Sequence, residues 1–461
     1  MSQRQRKNRK RQKLAAAQTP LGTTHHPDAA GIDVGAEELV AAVPPGRGEG
    51  PHVRTFSAFT AGLYALRDWL VACNINTVAM ESTGNYWLCA CALLEEAGIQ
   101  VCLVNARHVK GVPGKKTDVC DAAWLQQLHA AGLLRGSFRP QKEILPLRYL
   151  LRHRGDLVAQ AGQQVQLMQK VLTEMNLHIH HVFSDVDGVS AQAIITAILK
   201  GERDAEKLAA LRDRRTRAPL DKIKAALVGN YRAEYLFVLR QCQARWTQLG
   251  QAIEECDQEI AVRTAAITGV TDAPLPPAPA AQRRVQKNMI SALPVYAEAH
   301  RLLGVDLSSV PGISGGVLCV LMSELGTATH IREKFRSAEA FASWLGLCPD
   351  NRISGGRILK AGTRKVTNRI SNILRMAANA LSREQGRMGE FVRRFKGRLG
   401  KAEGIVVGAH KLARIIWAMI VSGQPYDEAK AFHLTAASAA RRLKNLQNQA
   451  KAMNMTLVPL Q

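Results

Sequence analysis

Four carboxylates in the first part of the chain have the types and positions expected of a metal site. Asp118 and Asp121 stand three residues apart at the start of a helical pattern, so both project from one face of that helix. Like charges this close repel each other unless a cation lies between them. Asp33 follows a Gly-Ile dipeptide, and Glu81 closes an apolar run. Four oxygen donors without Cys or His favour Mg²⁺ over zinc.

The composition indicates a polyanionic partner. Lys and Arg number 62 against 38 Asp and Glu, which gives a formal net charge of +24 over 461 residues. Neutralising phosphates with such a surplus releases counterions and drives nucleic-acid binding. Aromatic residues make up only 5%, which disfavours binding mainly by base stacking. A ribosomal protein or a protein of an acidic membrane surface is the less specific alternative.

Alternating strand and helix patterns position the four acids. The predicted order is β-β-β-α-β-α-β-α, with strands near 32–34, 38–43, 52–56, up to Glu81, and 99–104. Asp33 then lies on the first strand, Glu81 at the end of the fourth, and Asp118 and Asp121 on the last helix. Any one of these acids alone is more often a helix cap or a surface charge. Together, at these positions, they predict a metal site.

Changes in composition predict the domain boundaries. We predict a disordered basic tail at 1–28, an α/β domain at 29–140, a helical spacer at 141–270, a Pro-rich linker at 271–299, a helical C-terminal domain at 300–427 and a basic tail at 428–461. Apolar steps averaging 3.5 residues within the spacer predict a coiled coil, either within one chain or between two. The histidines at 178, 180 and 181 are interpreted as a polar helix end. The segment 185–230 is predicted to be helical, with no assigned task.

Two features favour a reduced, water-soluble protein. The nine cysteines are scattered without the paired spacing of a zinc ribbon, which indicates reduced thiols. The apolar runs are far shorter than the roughly 18 residues needed to cross a bilayer. We therefore expect a cytoplasmic protein without a membrane partner.

A serine surrounded by glycines and cations marks the C-terminal domain. Ser354 precedes Gly355 and Gly356, which let backbone approach a phosphodiester, while cations stabilise charge on the phosphate. Gly312 lies in a turn similar to that of a helix-hairpin-helix, whose N–H groups can hold a phosphate. A surface turn and a plain helix start are the open alternatives. The residues predicted to contact nucleic acid are Lys115, Lys116, Gly312, Arg352, Arg357, Lys360, Arg364 and Lys365.

These motifs resemble one known family. The segments that begin at Gly31, Glu81 and Lys116 resemble the DEDD signature of insertion-sequence transposases, in the branches named IS one-ten and IS eleven-eleven. Pilin-gene invertases are relatives of that family. The segments that begin at Pro311 and Trp344, together with the Ser354 motif, are similar to the family's second domain. The resemblance covers roughly 29–140 and 300–425.

The resemblance implies a fold and a chemistry. The first domain should have the ribonuclease-H-like fold of RuvC-type nucleases, with Mg²⁺ held by Asp33, Glu81, Asp118 and Asp121. Ser354 should attack DNA and form a phosphoserine link, with the serine at position 314 as the weaker candidate. The implied function is transposition of an insertion sequence.

The resemblance also implies partners. These are element and target DNA, a structured non-coding RNA that pairs with both, and further copies of the chain in a dimer or tetramer. We expect a bacterial protein associated with the nucleoid. The alternatives are a RuvC-like metal-dependent nuclease of branched DNA, a DNA invertase, and a non-enzymatic nucleic-acid-binding protein.

Overall fold

The computed structural model describes residues 24–82, 84–105, 121–279, 282–360, 362–432 and 436–458. Lys115, Lys116 and Asp118 lie outside these residues. The chain forms two compact units, Met1–Arg139 and Pro140–Gln461.

The first unit is built on a mixed five-stranded sheet. Its strands are β1 (Ala29–Val34), β2 (Glu38–Ala42), β3 (Val53–Ser57), β4 (Thr77–Glu81) and β5 (Gln100–Val104), and its helices are α1 (Thr60–Ala72), α2 (Trp87–Glu96) and α3 (Asp121–Ala130). The strand order is β3-β2-β1-β4-β5, with β2 antiparallel to its neighbours and β1, β4 and β5 parallel. The predicted order of elements is confirmed over the described residues.

The two faces of this sheet differ because side chains alternate along each strand. Ala30, Ile32 and Val34 of β1 belong to a buried cluster that also contains side chains of α1 and α2. The other face of β1 carries Gly31 and packs against α3. The sheet is therefore covered on both sides at its centre, as expected for its parallel strands.

Residues 25–28, which the sequence assigns to the basic tail, contact the first unit. The backbone N–H of His25 donates to the carbonyl oxygen of Ala130 at 2.7 Å. The ring of His26 stacks on His129 with centroids 5.3 Å apart. Asp28 forms an ion pair with Arg47.

The second unit is largely helical, as predicted. Its helices are α4 (Leu145–Glu174), α5 (Ile179–Val182), α6 (Val189–Leu199), α7 (Ala205–Ala210), α8 (Leu220–Ala226), α9 (Ala233–Ala265), α10 (Val295–Leu303), α11 (Gly315–Leu325), α12 (Ala328–Lys334), α13 (Ala338–Trp344), α14 (Arg369–Leu381), α15 (Arg387–Leu399), α16 (Lys401–Ser422), α17 (Glu428–Ala431) and α18 (Ala436–Ala452). Its two strands are β6 (Arg352–Ser354) and β7 (Arg357–Lys360). These strands form a hairpin that was not predicted.

The two longest helices, α4 and α9, pack against each other within one chain. Near one end, the buried side chains of Arg154 and Asp257 form an ion pair, and Ser291 donates to the same carboxylate. Near the other end, Met168 and Leu239 join the buried cluster of α5–α8. The helices are therefore antiparallel, and the segment 185–230 is helical as predicted. A coiled coil between chains stays a prediction.

Helix α16 is the central helix of the C-terminal part. The expectation that every apolar stretch is far shorter than a membrane span is wrong for this helix, which is long and apolar enough to cross a membrane by composition, with a mean hydropathy of 1.6. Half of that stretch is buried inside the protein, and Leu412, Ile416 and Ile420 are fully buried. The helix packs against α13, α14 and α15, which accounts for its apolar composition.

Candidate metal site and serine hairpin

Asp33 and Glu81 lie at the same level of two neighbouring parallel strands. The last aligned pair of β1 and β4 is Ile32 with Met80, and each acid is the next residue on its strand. Aligned residues of parallel strands project to the same face, so both carboxylates lie on one side of the sheet. Both side chains are half-buried. The carboxyl ends of the central strands thus bring two of the predicted acids together.

Gly31 allows α3 to approach this face closely. A Cβ atom built on Gly31 would lie 2.3 Å from the carbonyl oxygen of Ala122 and 2.3 Å from the backbone nitrogen of Gln126. Both are backbone atoms of α3, so no side-chain rotation could relieve the overlap. The Gln126 side chain also donates to the carbonyl oxygen of Ala29 at 3.2 Å. The close packing of α3 against the sheet therefore requires a residue without a side chain at position 31, the first position of the Gly-Ile-Asp motif.

The direction of α3 places Asp121 at the same edge. Ala122, in the first turn, lies on Gly31 in the middle of β1. His129, in the last turn, bonds to Thr77 at the start of β4, the residue aligned with Ala29, with 2.9 Å between Nε2 and Oγ1. The helix therefore runs opposite to the strands. Its first residue, Asp121, lies toward the carboxyl ends of β1 and β4, where Asp33 and Glu81 lie.

The three described acids do not share one tight ligand cage. In the described parts of the chain, only the histidine group at 178–181 has three donor atoms within 4.8 Å of one another. The carboxylates of Asp33, Glu81 and Asp121 are thus more widely spaced. Half-buried carboxylates at one edge fit a hard divalent ion.

Ser354 lies at the tip of the β6–β7 hairpin. It pairs with Arg357 across a two-residue loop, Gly355-Gly356. The φ angles of the two glycines are +54° and +74°, as a type I′ turn requires. Ser354 and both glycines are exposed. The serine is therefore accessible to a large substrate.

Five of the predicted cations belong to the hairpin or to the segment that follows it. In the ladder, Arg352 pairs with Lys360. Arg357 and Lys365 are exposed. The guanidinium of Arg364 donates to the carbonyl oxygen of Ser343 at 2.9 Å, which ties it to the end of α13. The hairpin and the segment after it thus carry the basic character expected of a nucleic-acid contact.

Two further features of the second unit were not predicted. Ile353 and Leu359 are apolar but 63% and 69% exposed. On α15, exposed Arg394 stacks over Phe391 and Phe395, with distances of 5.6 and 5.2 Å to the ring centroids. The spacing of these three residues, one turn or less apart, would have indicated a basic aromatic face.

Gly312 occupies a turn with a left-handed backbone, where a side chain would not fit. Gly312 has a φ angle of +84°, and a Cβ atom there would lie 2.8 Å from Leu381. Ser314 is the N-cap of α11, and no side-chain capping hydrogen bond is seen for it among the described residues. A phosphate contact at this turn stays a prediction.

A cavity of about 170 Å³ lies beside the start of α11. Its lining includes several cations, but most are neutralised by the protein. Arg152 pairs with Glu324, and Lys287 pairs with Asp187 at 2.8 Å. The cavity is therefore weakly charged, and it adds little to the predicted nucleic-acid surface.

Two family models match this chain. The model DEDD_Tnp_IS110, described as a transposase, matches residues 30–177, and the transposase model of the IS116/IS110/IS902 family matches residues 306–393. Together they cover about half of the chain. The chain belongs to the IS110 family of transposases. The family resemblance predicted from the motifs is confirmed.

The matched ranges contain the features described above. The first range spans Asp33, Glu81 and Asp121 and continues through α4 of the second unit. The second range spans the Gly312 turn and Ser354. The IS110-family transposase therefore acts on DNA, and its DEDD domain points to a divalent metal ion. None of the curated proteins compared with this transposase matches it.

Proposed function

We propose that this transposase excises and inserts an insertion sequence by a Mg²⁺-dependent reaction with a serine nucleophile. The observation that carries the proposal is the placement of Asp33, Glu81 and Asp121 at one edge and one face of the sheet. The strand order, with β2 antiparallel, supports the ribonuclease-H-like fold of RuvC-type nucleases. In such sites the acids hold metal ions that act on a phosphodiester.

The residues that hold Mg²⁺ in this proposal are Asp33, Glu81, Asp118 and Asp121. Asp118 precedes Asp121 by three residues, the spacing that puts both acids on one helical face. An Mg²⁺ ion held by these acids would supply polarisation of the scissile phosphate and neutralisation of its charge. The tight contact at Gly31 keeps the helix carrying Asp121 at a fixed distance from the strand carrying Asp33.

Ser354 supplies the nucleophile. Its Oγ forms a bond to phosphorus, the bond from phosphorus to the leaving 3′-oxygen breaks, and the serine proton ends on that oxygen. A 3′-hydroxyl of the partner strand then attacks the phosphoserine and releases Ser354. Each step exchanges one phosphoester for another, so ATP is not needed. The exposed position of Ser354 beside Gly355 and Gly356 supports access to the DNA backbone.

A guide RNA and an oligomer complete the proposal. The resemblance implies that a structured non-coding RNA selects the sites by base pairing, while the protein binds backbone. The net charge of +24 supports extensive phosphate contact. The resemblance also implies that one active site is completed by two protomers. We propose at least a dimer in the bacterial cytoplasm.

Strand cleavage of labelled element-end DNA tests the metal assignment. Asp33→Asn, Glu81→Gln, Asp118→Asn and Asp121→Asn should each abolish Mg²⁺-dependent cleavage but leave DNA binding largely intact. The matched control is Asp68→Asn, because Asp68 is an exposed acid of α1 in the same unit. Cleavage retained in the four variants would contradict the metal assignment and favour a non-enzymatic binding protein.

The same assay separates the proposal from a RuvC-like nuclease. A water-using nuclease needs the acids but gives Ser354 no role. Ser354→Ala should therefore abolish cleavage under the proposal and leave it unchanged in a nuclease. A DNA invertase would share every residue named, and it differs in the orientation of the recombining sites.

A further inference from the structure

Three histidines at the far end of the α4–α9 pair are placed like metal ligands. One ring nitrogen from each of His178, His180 and His181 lies within 4.8 Å of the others. The rings of His178 and His181 are stacked with centroids 5.0 Å apart, and those of His180 and His181 are 4.3 Å apart. These residues belong neither to the edge of the sheet where Asp33, Glu81 and Asp121 lie (the acid edge) nor to the β6–β7 hairpin that carries Ser354 (the serine hairpin).

The backbone that carries the three rings is fixed by a hydrophobic core. The N–H of His178 donates to the carbonyl oxygen of Ala226 at 3.0 Å. Ile179, between the histidines, is fully buried, and Val182 is buried in the same cluster. The convergence of the rings is thus set by packing, and it does not depend on a flexible surface turn.

The hydrogen bond of His178 leaves one of its nitrogens available. Nε2 of His178 lies 3.0 Å from the side-chain oxygen of Asn176. Because that oxygen only accepts, the neutral ring carries its proton on Nε2 and has a lone pair on Nδ1. Nδ1 of His178 is buried and has no hydrogen-bond partner among the described atoms. Metal-bound histidines typically donate their other N–H in this way.

His180 presents a second buried nitrogen. Its Nδ1 is also buried and has no hydrogen-bond partner among the described atoms. Two orphaned buried nitrogens on neighbouring histidines are costly unless a ligand satisfies them.

We propose that His178, His180 and His181 bind a Zn²⁺ ion. Imidazole nitrogens suit Zn²⁺, whereas Mg²⁺ prefers oxygen donors. Zn²⁺ holds nitrogens at about 2.0–2.1 Å, so small rotations of the three rings would complete the site, with water as a fourth ligand. The ion holds the start of α5 together and so stabilises the α5–α8 cluster, to which Ile179 and Val182 belong. This proposal is independent of the transposition chemistry.

Zinc affinity in matched variants tests the site. The full-length protein, purified without a histidine tag and kept in excess Mg²⁺ to fill the carboxylate site, is titrated with Zn²⁺ against a chromophoric chelator. We expect one Zn²⁺ per chain, with affinity at least about tenfold weaker in His178→Gln and His180→Gln. His153→Gln is the matched control, because His153 is exposed on α4. Its affinity should equal that of the natural sequence.

The role of Asn176 sharpens the test. Asn176 has a φ angle of +59°, which glycine adopts without strain. Asn176→Gly therefore keeps the turn but removes the oxygen that orients His178. Zinc affinity should fall about 10- to 100-fold. Unchanged affinity in both ligand variants, or an equal loss in His153→Gln, would overturn the proposal.

A second readout needs no variant. Hydrogen exchange of residues 176–183 in the natural sequence is compared with and without Zn²⁺. Slower exchange in Zn²⁺, confined to this segment and the α5–α8 cluster, is expected because binding stabilises the folded form. The same exchange rates in both conditions would also overturn the proposal.

Discussion

The acid edge of the first unit and the serine hairpin of the second are held in different ways. Asp33 and Glu81 lie at the ends of central strands covered on both faces, and α3 contacts the sheet through backbone atoms at Gly31. Ser354 lies on an exposed two-stranded hairpin whose apolar residues Ile353 and Leu359 face solvent. The acids are fixed by the hydrophobic core of the first unit, whereas Ser354 is held by the backbone pairing of a short two-stranded hairpin.

The difference matches the tasks proposed for the two sites. Metal ligands must keep their relative positions, since a displacement of about 1 Å can cost 10²-fold in rate. A nucleophile that joins two DNA ends must reach a bulky substrate and then release it. An exposed hairpin has fewer contacts to lose when it moves. We therefore infer a rigid metal site and an adaptable serine.

Substitution of Gly31 should have the largest effect. In Gly31→Ala, the new Cβ atom overlaps backbone atoms of α3, so the helix moves away from the sheet and takes Asp121 with it. Strand cleavage should fall on the order of 10²-fold, while DNA binding changes little. Gly136→Ala is the control, because its Cβ atom would lie an ordinary 3.4 Å from Cys102 Sγ. Equal cleavage in both variants would show that α3 does not position the acids.

The pH should affect the first unit through His129. Burial, and then His26, lower the pKa of His129 from 6.5 to about 4, so its ring is neutral in the folded unit. In the unfolded chain, His129 binds a proton below about pH 6.5. The contribution of the neutral ring to the free energy of unfolding is therefore fully present above that pH and is lost as the pH falls toward 4. Between pH 7 and pH 5, the free energy of unfolding of the first unit should fall by about 2 kcal/mol.

Thiol accessibility in urea can report on each unit separately. Cys73 and Cys91 are buried in the first unit, and Cys242 and Cys256 in the second. After equilibration at either pH, a labelling pulse at one common pH measures which thiols are exposed. The urea midpoint for the first pair should fall at pH 5, and His129→Gln should remove most of that shift. A shift of the same size in the variant would contradict the assignment to His129.

Substitution in the hairpin loop should have the smallest effect on stability. Gly356→Ala places a side chain at a φ angle of +74°, which costs about 1–2 kcal/mol locally. Because the hairpin is exposed, the melting temperature should not change, whereas cleavage should fall several-fold. Gly397→Ala, at an exposed position in α15, is the control and should leave cleavage unchanged. A lower melting temperature in Gly356→Ala would show that the hairpin is part of the core.

The acid edge could be predicted because its signals are local. Each acid ends or begins a strand or helix pattern, and a parallel sheet brings such ends to one edge. The hairpin was missed because Ile353 and Leu359 bury no face, so no alternating pattern connects them to a core. Its loop did carry a signal, since Gly-Gly between two short segments, each with one isoleucine, is compatible with a type I′ hairpin.

Contacts between distant residues could not be predicted. Arg154 and Asp257 are 103 positions apart, and their sequence neighbourhoods are those of ordinary polar helices. The histidine cluster was interpreted as a polar helix end, because sequence alone does not show that its rings converge. The burial of the Nδ1 atoms of His178 and His180 depends on the packing of the α5–α8 cluster, which the local sequence does not show.

The most direct test of the account is a search for a covalent protein–DNA link. The transposase, Mg²⁺, labelled element-end DNA and the element's non-coding RNA are run on a denaturing gel. We predict an adduct with the natural sequence and with Ser314→Ala, and none with Ser354→Ala or Asp121→Asn. Cleavage without an adduct, unchanged in Ser354→Ala, would contradict the account and indicate a nuclease that uses water.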